Sequence, residues 1–139
     1  MTRVFYGSEQ QVVEQLARYM QVQHPDVLYR FDLAADLKLT VGQAARHKRL
    51  HPHRGWPDLF IPDISLRHER FGLFLELKRE GTRLKKRNGD WASEHIEEQA
   101  AIHEQLREQG YAVHFAVGLD EAIGIIDNYL GKAGDEGTF

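Results

Sequence analysis

Cysteine is absent from this 139-residue chain, which excludes disulfide bridges and every thiolate zinc site. No apolar run comes near the roughly 20 residues that a membrane-spanning helix needs, and Met1–Gln10 lacks the apolar core of a signal peptide. A cytoplasmic location is the expectation. Repeats and low-complexity tracts are missing too, so no repeat architecture is expected. What remains, 42% hydrophobic and 28% charged residues, fits one globular domain over residues 1–139 with a single core.

A marked excess of one charge is also lacking: 18 Lys and Arg stand against 21 Asp and Glu, a net −3. Spread evenly, that balance would argue against a nucleic-acid partner. It is not even. Residues 46–87 hold twelve basic residues, among them Arg46, Lys48, Arg49, Arg54, Arg79, Arg83, Lys85, Lys86 and Arg87. Only five acids accompany them, so this segment carries +7 and the rest of the chain −10. Phosphate contacts follow the local field. Those nine side chains are the candidate DNA contacts, although a basic run alone also describes a solvated face.

Inside the basic segment, Gly55 to Lys78 reads GWPDLFIPDISLRHERFGLFLELK. Two short apolar runs, Asp58–Pro62 and Phe71–Lys78, flank a polar stretch and predict a hairpin. Each run carries an acid where a core strand normally has none: Asp58 in the first, Glu76 in the second. Alternation puts Glu76 and Lys78 on one face with Phe74, and Leu73, Leu75 and Leu77 on the other. Asp58 and Phe60 likewise share a face. Antiparallel pairing would bring Asp58 beside Glu76 and Lys78. Buried charge is costly unless compensated, so the cluster calls for a counter-ion, either the lysine or a metal.

Pro57-Asp58 followed by Glu76-Leu77-Lys78 resembles the signature of the PD-(D/E)xK nuclease superfamily. The surrounding GWPDLFIP, LFLELKREGTRL and HIEEQAAIHEQLREQGY are similar to its VRR-NUC branch, over Ser8 to Leu130. The resemblance implies an α/β fold with a restriction-endonuclease-like αβββαβ core, a mixed central sheet flanked by helices. It also implies a Mg2+-dependent DNA endonuclease, with Mn2+ as a substitute metal. Asp58, Glu76 and the Leu77 carbonyl would hold the metal, and Lys78 would act on the attacking water or the phosphate charge. Gln99 matches the family's helix glutamine, which helps hold the site; a core amide bonded to backbone is the plainer reading. The family also places an acid of the first helix near the metal. Glu9 shares the stripe of Val13, Leu16 and Met20, whereas Glu14 lies on the Gln10 and Arg18 side, so periodicity favours Glu9. Small stand-alone members are associated with phages and with two-fold symmetric cutting of branched DNA. That implies a Holliday-junction resolvase-like homodimer. The rival reading is a non-catalytic nucleic-acid-binding module that keeps the fold.

The remaining elements follow from caps and periodicity. Ser8 caps a helix to about Gln23, Val27–Phe31 reads as a strand, and Thr40 caps Val41–Leu50. Ser93 caps a helix through Gln109 with His95, Gln99, Ile102 and Leu106 inward, stopped by Gly110. Tyr111–Val117 reads as a buried strand, Asp120 caps Glu121–Leu130, and residues 131–139 read as a frayed tail. His47, His51 and His53 have no acidic or Cys partner nearby in sequence, which favours phosphate contacts or plain exposure over zinc. Residues 79–92 read as an inserted loop. Its Trp91 either stacks on an unpaired base or folds back onto the core.

Overall fold

Ser8 and Gln11 exchange hydrogen bonds, side chain to backbone in both directions, at the start of α1 (Glu9–Gln23). Thr40 and Gln43 do the same for α2 (Val41–Leu50). Each box satisfies amide donors that a helix start leaves open. The computed structural model describes residues 8–32 and 38–131, so most of the expected tail, residues 132–139, lies outside the described residues. Besides these helices it contains β1 (Arg30–Phe31), β2 (Leu59–Ile61), β3 (Leu73–Lys78), α3 (Glu94–Glu108), β4 (Ala112–Val117) and α4 (Leu119–Leu130).

The strands form one mixed sheet in the order β1-β2-β3-β4. β1 and β2 are antiparallel, as are β2 and β3, while β4 runs parallel to β3 after the α3 crossover. This is the α/β architecture that the hairpin and interleaved helices predict. All six residues of β3 are buried, because helices cover both faces. Leu73, Leu75 and Leu77 join Val13, Leu16, Met20 and Ile126 in the larger core. Phe74, on the other face, packs with Leu106 and Val113. Leu59 pairs with Leu75 and Phe60 with Phe74, so Asp58 falls opposite Glu76.

Several boundaries differ from expectation. The strand over 27–31 shrinks to Arg30–Phe31, since β2 offers only Phe60 and Leu59 as partners. The second run of the hairpin begins at Leu73 rather than Phe71. Residues 65 and 70 close their own bridge, and the Phe71 N–H turns to the Gly110 carbonyl at 2.9 Å. Gly110 has φ +100, and a Cβ there would lie 2.5 Å from the Phe71 ring, so both backbone angle and space demand glycine. Asp120 does not cap α4. The helix starts two residues earlier, at Leu119, with Gly118 as cap and Asp120 in the first turn. Helix α3 is rolled relative to the expected stripe: Ile96, Gln99, His103 and Leu106 are buried. That roll puts aliphatic Ile96 inside and leaves His95 exposed. Residues 79–92 are not a plain loop, for Lys85 pairs with Trp91 across a short hairpin closed by the Lys86 N–H on the Asp90 carbonyl at 2.7 Å.

No helix among the described residues is long and apolar enough to cross a membrane. α1 and α4 are tied by Asp127, which accepts the Tyr19 hydroxyl at 2.6 Å and lies 2.9 Å from Nε2 of buried His24. Removing the carboxylate leaves both partners unsatisfied. Asp127→Ala should cost about 1–3 kcal/mol in chemical denaturation; an unshifted midpoint would show that the network adds nothing.

Candidate active site

Asp58 stands one residue before β2, where the ladder to β3 has not yet begun. Its carboxylate takes the place of a backbone partner, with Oδ2 accepting the Leu77 N–H at 2.8 Å. On the adjoining strand Glu76 and Lys78 are 3% and 5% exposed. Gly55 fixes the approach of this segment: it has φ +90, and a Cβ there would sit 3.0 Å from both the Gln99 Cα and the Glu98 carbonyl oxygen. A larger residue would push the Asp58 segment off α3.

Gln99 and His103 on α3 are both buried, and Gln99 lines the cleft with Glu76. Glu76 Oε1, Gln99 Oε1 and both His103 ring nitrogens find no hydrogen-bond partner among the described residues. His103 Nε2 is 3.7 Å from Glu76 Oε1, too far for a hydrogen bond. Burial, helped by Arg107 and Lys78, pushes that imidazole down to about 4, so it is neutral at pH 7 and supplies no counter-charge.

The carboxylates are perturbed in the other direction. Burial pushes Asp58 up to about 9, aided by its hydrogen bond with Glu76 and the repulsion between them. Burial also raises Glu76, to about 7; Asp58 and Lys78 oppose this rise, and the charge of Glu9 adds to it. The pair keeps a proton near neutrality because one lysine does not offset two desolvated acids. A divalent cation would displace it. Among the described residues no group of three or more His or acidic side chains could hold an ion. Two carboxylates with a strand carbonyl and water nevertheless form a donor set that Mg2+ accepts, since it retains several waters. The orphaned Glu76 oxygen fits that use.

The acids lie at one wall of a cleft of about 960 Å³. Glu9 lines it, and Glu14 does not. Of the nine basic candidates only Lys48 and Arg54 line it, while Arg46, Arg49, Arg79, Arg83, Lys85, Lys86 and Arg87 are exposed elsewhere. His47, His51 and His53 face the cleft without forming a zinc set. His47 and His51 stack at 4.2 Å. Trp91 folds back, tilted against Phe115 at 5.7 Å, with the Lys85 ammonium 4.7 Å over its ring.

No protein-family model matches the sequence, and no curated protein does. A solved structure described as a VRR_NUC domain protein does match, with TM-score 0.66 and 24% identity over 91% of each chain. The chain has the VRR_NUC fold. The match supports the fold that the sequence resemblance implies, and Asp58, Glu76, Lys78 and Gln99 line one cleft within it.

Sequence reasoning passed over four lining or supporting residues: Arg30, Trp56, His95 as a cleft residue, and His103. A signal existed for His103, which follows Gln99 by four residues and precedes Leu106 by three, on one helical face. Trp56 gave none, because a tryptophan beside Pro-Asp reads equally well as core.

The raised carboxylates set a pH dependence for the metal-free protein. Between 3.8, the ordinary Asp value, and about 9, the folded state holds a proton that the unfolded chain has released. Stability therefore falls as pH rises through that window. In chelator, wild type should melt lower at pH 8 than at pH 5, and Asp58→Asn should lose much of that decline. Parallel wild-type and Asp58→Asn pH profiles would contradict the assignment.

Proposed function

We propose that this protein is a Mg2+-dependent DNA endonuclease that hydrolyses phosphodiester bonds at the Asp58–Glu76–Lys78 cluster. The observation that carries the reading is Glu76 and Lys78 buried on β3, with the half-buried Asp58 carboxylate bonded to the same strand, at the wall of a cleft lined by Lys48 and Arg54. The VRR_NUC fold agrees with it. Asp58, Glu76 and the Leu77 carbonyl would hold the ion. When bound, Mg2+ relieves phosphate charge and lowers the pKa of a water. Lys78 orients that water or steadies the charge developing on the phosphate. Glu9 adds negative charge beside the pair, and Gln99 supports Glu76 from α3. Lys48, Arg54 and Arg30 hold phosphates along the cleft wall.

In its junction-resolving form this activity requires two symmetric sites, hence a homodimer. Light scattering alongside cutting of a four-way junction tests that extension; paired cuts by a monomer would refute it.

With Mg2+, the protein should cleave single-stranded, supercoiled or branched DNA. Asp58→Ala should abolish cleavage and the rise in melting temperature caused by Mg2+. Lys78→Ala should cost about 10²–10³-fold in rate and keep the thermal effect of the metal. Glu9→Gln should weaken Mg2+ affinity, whereas Glu14→Gln should not. Undiminished cleavage by purified Asp58→Ala protein would sink the proposal; DNA binding without any cleavage would favour a binding module.

A further inference from the structure

We infer that Trp56 is a stacking platform for an unpaired nucleobase, which makes single-stranded or locally opened DNA the substrate class of the cleft. The inference rests on the nuclease reading only for the identity of the neighbouring scissile phosphate. Trp56 is 47% exposed and lines the cleft. A large indole left half in water among Lys48, Arg54 and Arg30 is not placed there by core packing. One side of it is held: the ring stands edge-to-face on Phe74 at 6.0 Å, and Phe74 is itself stacked on Phe60 at 4.4 Å. Its backbone is held on both sides, by Gly55 pressed against Gln99 and by buried Pro57. The platform is therefore rigid before any ligand arrives, so little ordering is lost on binding.

Its position gives the platform its meaning. Trp56 and Asp58 are two residues apart, at most about 7 Å along the backbone. A base lying on the indole and a phosphate at the carboxylates thus belong to the same or adjacent nucleotides. Within a duplex each base is already covered on both faces by its neighbours, so an indole can gain a face only from an unpaired or extruded base. Basic side chains on the cleft wall supply the phosphate contacts that single-strand binders combine with such stacking. The other tryptophan is spent on Phe115 and Lys85.

The test uses the full chain with Trp91→Phe, which leaves Trp56 as the one indole of the two. Fluorescence is titrated in chelator, where cleavage does not intervene, with a short single-stranded DNA, an abasic strand of equal length and a blunt duplex. The normal strand should quench Trp56 saturably; the abasic strand and the duplex should bind, by anisotropy of an end label, with little quenching. Trp56→Ala should weaken single-strand binding about 10-fold while leaving abasic and duplex binding unchanged, and Trp56→Phe should recover part of the loss. Equal quenching by the normal and abasic strands, or unchanged single-strand affinity in Trp56→Ala, would overturn the inference. Asp58-dependent cleavage without quenching would refute stacking alone; quenching without cleavage would refute the nuclease reading and leave stacking intact.

Discussion

Two carboxylates drawn out of water side by side, Glu76 on β3 and Asp58 just before β2, are the constraint on which the rest of the structure depends. Asp58 and Glu76 repel each other, and each has lost most of its hydration, so the arrangement costs free energy until a proton or a cation enters. The Leu77 N–H to Asp58 hydrogen bond holds the first acid against the strand that carries the second. Around them the neighbours are largely neutral. Gln99 and His103 bring dipoles rather than charge, and Lys78 brings one positive charge for two acids. A site built only for stability would close this imbalance with a second basic residue or replace the acids with hydrophobic ones.

The fold makes that imbalance tolerable. β3 is buried along its whole length because helices lie on both faces of the sheet, and its aliphatic face joins the larger core. The polar face can therefore be given over to chemistry while Leu73, Leu75 and Leu77 hold the strand in place. Glycine at position 55 lets the segment carrying Asp58 lie on the backbone of α3. The start of α1 adds Glu9 at the cleft, where the positive end of the helix dipole favours an acid.

Local physics was legible in the sequence, and tertiary physics was not. Ser8, Thr40 and Ser93 act as side-chain caps because their partners lie three residues away. Strand alternation put Phe74, Glu76 and Lys78 on one face, and helical periodicity chose Glu9 over Glu14 for the cleft. By contrast, a count of charges along the chain could not separate Lys48 and Arg54, which line the cleft, from the basic residues of 79–87, which lie outside it, with the Lys85 ammonium over Trp91. The two tryptophans could not be told apart for the same reason: which one faces the cleft depends on Phe115 and Phe74, far away in sequence. The α4 start was misplaced because Gly118, with φ +87, allows a turn from strand to helix that no side-chain cap announces.

The central claim is that the imbalance at Asp58 and Glu76 exists to hold a divalent cation. The most direct measurement is anomalous scattering from crystals soaked in Mn2+, recorded at the manganese edge. The account predicts a peak bounded by the Asp58 and Glu76 carboxylates and the Leu77 carbonyl. A peak confined to the His47–His51 pair, or none in a crystal whose Asp58 and Glu76 are paired with Lys78 alone, would contradict it.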